Sequence, residues 1–119
     1  MIKILIVDDS AFSRNALRRI LESDGYTVLE AESGMRALEL LQSDAPDVVT
    51  LDLLMPEMSG QQVLQNMRQI NPHIRVIVIT ADIQRATRQE LDEMGADAFL
   101  QKPFGSNEIL ATLKRVLGE

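Results

Sequence analysis

The sequence predicts an α/β fold in which a parallel β-sheet is covered on both faces by helices. Short aliphatic runs alternate along the chain with longer segments that have the periodicity of amphipathic helices. Three of the runs are almost continuously apolar, which is typical of strands that are buried on both faces. The connections are short and no linker or low-complexity stretch interrupts them, so the 119 residues are predicted to form one domain, 1–119.

The predicted strands and helices follow one another in strict alternation. The strands are expected at 3–7, 27–31, 47–51, 75–80 and 98–101. The helices are expected at 11–24, 34–44, a segment that follows Ser59 and Gly60, 84–94 and 106–117. Strands that alternate with helices form a parallel sheet, because each right-handed crossover returns the chain in the same direction.

Three helices carry further predictions. In the first helix, the apolar face consists of Phe12, Ala16, Leu17, Ile20 and Leu21. The last helix is expected to be capped by Ser106 or Asn107. Segment 84–94 has the thinnest apolar stripe, so we expect it to be the least firmly anchored helix.

A chain of five strands and helices favours the doubly wound, flavodoxin-like (βα)5 sandwich of three layers. The strand order expected for this class is 2-1-3-4-5, although the alternation of strands and helices does not by itself fix the order. In such sheets the functional site lies outside the carboxyl ends of the strands, at the point where the strand order reverses.

Composition excludes several classes of function. The chain has 18 acidic and 12 basic residues, and the net charge of -6 argues against direct binding of nucleic acid or of an anionic membrane. Cysteine is absent, which excludes disulfides, thiolate zinc sites and a cysteine nucleophile. The apolar start is too short for a signal peptide, and no run is long enough for a membrane span. A cytoplasmic protein is therefore expected.

Polar residues follow four of the predicted strands directly. They are Asp8 and Asp9 after the first, Asp52 after the third, Thr80 at the end of the fourth and Lys102 after the fifth. Each residue alone has an ordinary explanation, such as a helix cap, a solvated turn or a strand preference. Together they place three carboxylates, a hydroxyl and an ammonium group at one edge of the sheet, and a single functional site explains them all.

The chemistry of these groups points to a metal-assisted phosphoryl site. Three neighbouring carboxylates repel one another and call for a cation, and an oxygen-only ligand set with few protein ligands favours Mg²⁺. A lysine and a threonine hydroxyl beside a partly hydrated Mg²⁺ suit an anion with several oxygens. The glycine-rich loops of nucleotide sites are absent, so we expect the phosphoryl group to arrive on a donor and to be taken by the protein itself.

Four motifs follow one another along the chain, namely VDDS at 7–10, DLLMPEMSG at 52–60, TA at 80–81 and GADAFLQKPF at 95–104. In this order and at this spacing, and over essentially its whole length, the chain resembles the receiver domains of two-component response regulators, in particular those of the chemotaxis type. The resemblance implies a signalling domain and no turnover of an outside substrate. It also implies a histidine kinase as phosphodonor and a partner that reads the face formed by helix 84–94, strand 98–101 and helix 106–117.

The resemblance further implies a role for each matching residue. Asp52 would be the phosphoacceptor, and Lys102 and Thr80 would contact the phosphoryl oxygens. The Mg²⁺ ligands would be Asp9, Asp52 and the backbone carbonyl of Leu54, with Asp8 acting mainly through water. Phe99 would be the switch aromatic that responds to Thr80, and the Lys102–Pro103 peptide bond would be cis.

Other interpretations remain open from the sequence alone. A flavin or nucleotide binder of the same fold would need an anion loop after the first strand, where this chain has carboxylates. A Mg²⁺-dependent phosphatase with an aspartyl intermediate would turn over a phosphoester. A degenerate receiver would serve only for protein binding. Within the receiver interpretation, the target is either a separate protein, for example in chemotaxis, or an output domain of a larger regulator.

Overall fold

The computed structural model of the protein describes residues 1–81, 89, 92–93 and 95–118. Its strands are β1 (Lys3–Val7), β2 (Thr27–Ala31), β3 (Val48–Leu51), β4 (Arg75–Thr80) and β5 (Ala98–Gln101). The helices of the described part are α1 (Ala11–Ser23), α2 (Gly34–Asp44), α3 (Gly60–Ile70) and α4 (Ser106–Leu117). The strand predicted at 47–51 begins at Val48 in the structure, one residue later than expected. The helix predicted at 84–94 lies outside the described residues, apart from 89, 92 and 93.

All five strands are parallel and lie in the order β2-β1-β3-β4-β5, which confirms the predicted fold class and strand order. The chain leaves β1 for β2 on one side and then returns to β3 on the other side. The order therefore reverses between β1 and β3, and the residues that follow these two strands meet at the reversal point.

Alternate residues of β1, an inner strand of the sheet, face two separate halves of the core. Leu5 and Val7 of β1 pack with residues of α2 and α3, whereas Ile4 and Ile6 pack with residues of α1 and α4. This alternation follows from the period of two in a β-strand. The helix residues in the first half include Ala37, Leu41, Val63, Leu64 and Met67, and those in the second half include Leu17, Leu21, Ile109 and Leu113. The result is the predicted sandwich of three layers.

Serine side chains cap three of the helices, but the predicted cap of the last helix is wrong. In α1 the Ser13 amide donates to Ser10 Oγ at 3.2 Å, and Ser59 forms a capping box at the start of α3. In α4 the cap position belongs to Gly105, which offers no side-chain hydrogen bond. Its carbonyl accepts the amide hydrogens of the first helical turn, so the helix begins one residue earlier than a serine cap would require.

The apolar face predicted for α1 is only partly buried. Leu17 and Leu21 belong to the core, but Phe12 is 85% exposed and Ala16 is also exposed. Both of the exposed residues line an apolar cavity of about 260 Å³ that also touches Ile79 and Phe104. Periodicity indicated the correct face of the helix, but it could not show that the first turns of α1 lie over a cavity instead of a packed core.

None of the helices in the described part of the chain is long and apolar enough to cross a membrane.

Gly60, the first residue of α3, packs directly against the backbone at the end of β3. A Cβ atom at this position would lie 2.5 Å from Leu53 Cα and 2.7 Å from the carbonyl oxygen of Asp52. We expect Gly60→Ala to lower the free energy of unfolding by about 1–3 kcal/mol, because the atoms in the way are backbone and cannot rotate aside. Urea unfolding measures this change.

Gly105→Ala is the matched control, since no atom lies within 4 Å of a Cβ atom at that position. We expect a smaller loss than in Gly60→Ala, at most about 1 kcal/mol, because Gly105 is the N-cap of α4 and alanine is a poorer N-cap than glycine. Equal losses in the two variants would contradict the close-approach explanation.

Candidate functional site

The predicted site residues come together at the carboxyl edge of the sheet. Asp8 and Asp9 follow β1, Asp52 follows β3, Thr80 ends β4 and Lys102 follows β5. One carboxylate oxygen from each of the three aspartates lies within 4.8 Å of the others. Asp8 and Asp52 are buried, whereas Asp9 is exposed. The edge thus carries a small acidic cluster with two covered members and one that faces solvent.

Lys102 bridges the two buried carboxylates. Its Nζ donates to Asp8 Oδ2 at 2.8 Å and to Asp52 Oδ2 at 2.9 Å. The lysine is placed by the sheet, because its backbone amide donates to the Thr80 carbonyl at 2.9 Å and so extends the pairing of β4 with β5. The following peptide bond, Lys102–Pro103, is cis.

The other oxygen of each buried carboxylate is held by a backbone amide. The Ser10 amide donates to Asp8 Oδ1 and the Leu54 amide donates to Asp52 Oδ1, both at 2.9 Å. These contacts, with the two from Lys102, satisfy all four oxygens, and no buried side-chain polar atom in the described residues lacks a partner. The Leu54 backbone is thereby fixed next to Asp52, while the Leu54 side chain is 56% exposed.

The charges at this edge favour a cation. Three carboxylates face one ammonium group, so the cluster keeps a negative excess although Lys102 neutralises part of it. All the ligand atoms on offer are hard oxygens, and the exposed Asp9 leaves one side of the cluster open to solvent. The donor set therefore fits a metal ion that prefers oxygen ligands.

Thr80 and Phe99 lie on the same face of neighbouring strands. Phe99 pairs with Val78, and Val78 and Thr80 are two residues apart on β4, so the three side chains share one face of the sheet. Thr80 is fully buried at the end of β4, and Phe99 is half-buried against the core on the α2 and α3 side. Both residues thus lie on the face of the sheet that α2 and α3 cover.

One residue of the site is not predicted from the sequence. Arg14 of α1 donates from Nη1 to the backbone carbonyl of Asp8 at 2.7 Å and from Nε to Glu30 Oε1 at 3.1 Å. A basic residue near the start of a helix is ordinary, and only the packing of α1 beside β2 brings it to the acidic loop. The acidic residue on β2 is the sole sequence signal that could have pointed to it.

The pKa of Lys102 reflects two opposing effects. Burial disfavours the charged ammonium group and lowers its pKa, but the hydrogen bonds and charges of Asp8 and Asp52 outweigh burial, so the pKa is raised above that of a free lysine. A raised pKa means that this interaction stabilises the folded state fully below the pKa of the unfolded lysine. The contribution is lost as the pH rises through the folded pKa.

We therefore expect the wild type to lose stability above about pH 10, near the pKa of an unperturbed lysine, more steeply than Lys102→Met does. Urea unfolding at intervals from neutral to strongly alkaline pH measures the difference. Lys114→Met, which removes an exposed lysine on α4, is the control and should follow the wild-type curve. Parallel curves for the wild type and Lys102→Met would contradict this role of the bridge.

Comparison with known proteins identifies the family. The family model described as response regulator receiver domain matches residues 4–114. The response regulator MprA of Mycobacterium ulcerans is 39% identical over 116 residues, which make up 98% of this chain and 50% of that protein. The chain thus spans about half the length of the curated relatives that it matches.

Solved structures agree with this result. The chemotaxis protein CheY4 of Vibrio cholerae has a TM-score of 0.93 and 33% identity, with 98% of each chain covered. A chain of the CheX–CheY–BeF3–Mg²⁺ complex of Borrelia burgdorferi also has a TM-score of 0.93, with 31% identity over 98% of this chain and 89% of that one. With its parallel sheet and its acidic edge, the chain belongs to the family of response regulator receiver domains of two-component systems.

Proposed function

We propose that Asp52 is the phosphoacceptor of this receiver domain and that phosphorylation depends on Mg²⁺. The observation that carries the proposal is the placement of Asp52. Its carboxylate is buried, it is hydrogen-bonded to Lys102, and it lies in a cluster with Asp8 and Asp9 whose ligand oxygens are within 4.8 Å of one another. A nucleophilic carboxylate next to a cation and a fixed ammonium group is what acyl phosphate formation requires.

The residues proposed to hold Mg²⁺ are Asp9, Asp52 and the Leu54 carbonyl, with Asp8 acting mainly through water. The bound ion would neutralise charge on the acidic cluster and on the incoming phosphoryl group. The hydrogen bond from the Leu54 amide to Asp52 Oδ1 supports this set, because it keeps the Leu54 backbone next to the carboxylate.

The transfer itself is an in-line displacement. A carboxylate oxygen of Asp52 attacks the phosphorus of a phosphohistidine, the new O–P bond forms as the P–N bond breaks, and the imidazole leaves on the donor. Lys102 is already within hydrogen-bond distance of Asp52, so a small movement brings its ammonium group onto a phosphoryl oxygen. Thr80, at the end of the neighbouring strand, would donate its hydroxyl to a second oxygen.

The proposed partners follow from the family and from the polarity of the surface. The phosphodonor is a histidine kinase, as for receiver domains in general. The reading partner binds the face that contains β5 and α4, and it is either a separate protein, for example in chemotaxis, or an output domain of a larger regulator. We also propose a cytoplasmic location and no direct contact with nucleic acid or membrane. The net charge of -6 supports the absence of such contacts, because nucleic acids and anionic membranes repel an acidic protein.

The first test uses acetyl phosphate as a small phosphodonor. We expect the wild type to gain one phosphoryl group when Mg²⁺ is present and none when EDTA removes it, because the carboxylates repel the donor until a cation offsets their charge. Intact-mass spectrometry detects the adduct. Asp52→Asn should stay unmodified, and Asp24→Asn, which changes an exposed aspartate at the end of α1, should react like the wild type.

Labelling of Asp52→Asn at the wild-type rate, or equal labelling with and without EDTA, would overturn the assignment. Steady hydrolysis of a simple phosphoester such as p-nitrophenyl phosphate would instead indicate a phosphatase with an aspartyl intermediate.

The second test concerns transmission to the face around β5. Phosphorylation adds roughly one negative charge and new acceptor oxygens at Asp52. If Thr80 moves to donate to them, it vacates space on the side of the sheet where Phe99 lies, and Phe99 can turn inward. Thr80→Ala should still bind beryllofluoride with Mg²⁺, but its amide chemical-shift changes at β5 and α4 should be weaker than in the wild type.

Thr27→Ala, on the far edge strand β2, is the matched control and should keep the wild-type response. This route of transmission would be wrong if beryllofluoride shifted mainly the amides of α1 and α2, or if Thr80→Ala responded like the wild type.

A further inference from the structure

Arg14 connects the acidic loop to the edge strand of the sheet. Its guanidinium donates from Nη1 to the Asp8 carbonyl at 2.7 Å and from Nε to Glu30 Oε1 at 3.1 Å, and its side chain is only 16% exposed. Glu30 lies on β2, opposite Ile6 of β1. The arginine is therefore held between a strand and the loop that follows the neighbouring strand.

The Asp8 carbonyl matters because it belongs to the peptide group that leads into Asp9. Every other polar group of Asp8 already has a partner. Its amide donates to the Ala31 carbonyl at 3.1 Å, and its two carboxylate oxygens accept from Ser10 and Lys102. The hydrogen bond from Arg14 gives the remaining group, the Asp8 carbonyl, its partner. It thereby restrains the rotation of the peptide plane between the two aspartates.

The carboxylate of Asp9 lacks comparable support within the described residues. It is exposed, and among residues 1–81 and 95–118 no hydrogen bond or ion pair to it is found. The direction in which the Asp9 side chain points thus depends on the backbone that carries it. Arg14 is the one side chain of the described residues that donates to that peptide plane.

The anchor of Arg14, Glu30, is itself held by a further ion pair. Glu30 also accepts a hydrogen bond from Arg18, which in turn pairs with Glu22 at 3.2 Å. Both oxygens of Glu30 are therefore occupied by guanidinium groups from α1, one helical turn apart. The network fastens α1 to β2, and within it only Arg14 reaches the acidic loop.

We propose that Arg14 is a positioning residue that orients Asp9 for a divalent cation by holding the Asp8–Asp9 peptide plane. The inference rests on the proposed function, because it takes Asp9 to be a ligand of Mg²⁺. Partners that orient a metal ligand commonly contribute about tenfold or more to metal affinity, which is the size of effect expected here.

Charge and position predict opposite results when Arg14 is replaced. If Arg14 acted only through its charge, Arg14→Gln would bind Mg²⁺ more tightly than the wild type, because removal of a cation strengthens the attraction of the acidic cluster for Mg²⁺. If Arg14 holds the peptide plane, Arg14→Gln binds Mg²⁺ more weakly than the wild type. The sign of the change therefore separates the two roles.

The test is Mg²⁺ binding to Arg14→Gln, measured by isothermal titration at neutral pH. We expect an affinity about tenfold lower than in the wild type, the scale of an orienting partner. Arg18→Gln is the matched control, because it removes the same charge and a contact to the same Glu30 without touching Asp8, and it should bind at least as tightly as the wild type. Arg14→Lys keeps the charge and can reach either the Asp8 carbonyl or Glu30 but not both. Its affinity for Mg²⁺ should therefore lie between those of Arg14→Gln and the wild type.

A second readout needs no metal. In the metal-free protein, the heteronuclear NOE of the Asp9 amide should be lower in Arg14→Gln than in the wild type and in Arg18→Gln, because the peptide plane has lost its hydrogen bond. If Arg14→Gln does not fold, Glu30→Gln tests the same contact by loosening the arginine, with a smaller loss of affinity in the same direction.

The possible failures are distinguishable. A wild type that neither binds Mg²⁺ nor forms a beryllofluoride adduct would refute the proposed function as a whole. A wild type that binds, with Arg14→Gln binding equally or more tightly, would refute only the role of Arg14. An equal loss in Arg18→Gln would show that the effect arises from fastening α1 to β2 and would likewise refute the inference.

Discussion

The site depends on one interaction, the bridge from Lys102 to the carboxylates of Asp8 and Asp52. Two buried carboxylates with oxygens within 4.8 Å of each other repel, and a buried charge without a partner is costly. The ammonium group offsets that cost, and the backbone amides of Ser10 and Leu54 hold the remaining oxygens. In the proposed phosphorylation, the same arrangement places an ammonium group next to the carboxylate that accepts the phosphoryl group.

The bridge is possible because parallel pairing brings distant parts of the chain to one edge. Lys102 and Asp8 are 94 positions apart in sequence, and they meet because β5, β4, β3 and β1 are successive neighbours in the sheet. The helices pack on both faces of the sheet. Gly60 contributes to this arrangement, because the first turn of α3 can lie against the Asp52 backbone only without a side chain there.

The site combines buried and exposed parts. Asp8, Asp52 and Lys102 are buried or half-buried and mutually hydrogen-bonded, whereas Asp9 faces solvent and depends on the backbone behind it. Thr80 ends β4 at the same edge and shares a side of the sheet with Phe99 on β5. The proposed switch uses this shared side to carry a change of charge at Asp52 to the face that contains β5.

The sequence by itself determined the alternation of strands and helices and the gathering of Asp8, Asp9, Asp52, Thr80 and Lys102 at one edge. The physical reason is that periodicity and strand ends are local properties, and parallel pairing maps them onto a common edge. Only the tertiary structure decided which side chains meet across elements. Arg14 reaches the Asp8 carbonyl because α1 packs beside β2, and Phe12 is exposed and lines a cavity at the start of α1 instead of packing in the core. Such contacts depend on distances between elements, which no local pattern records.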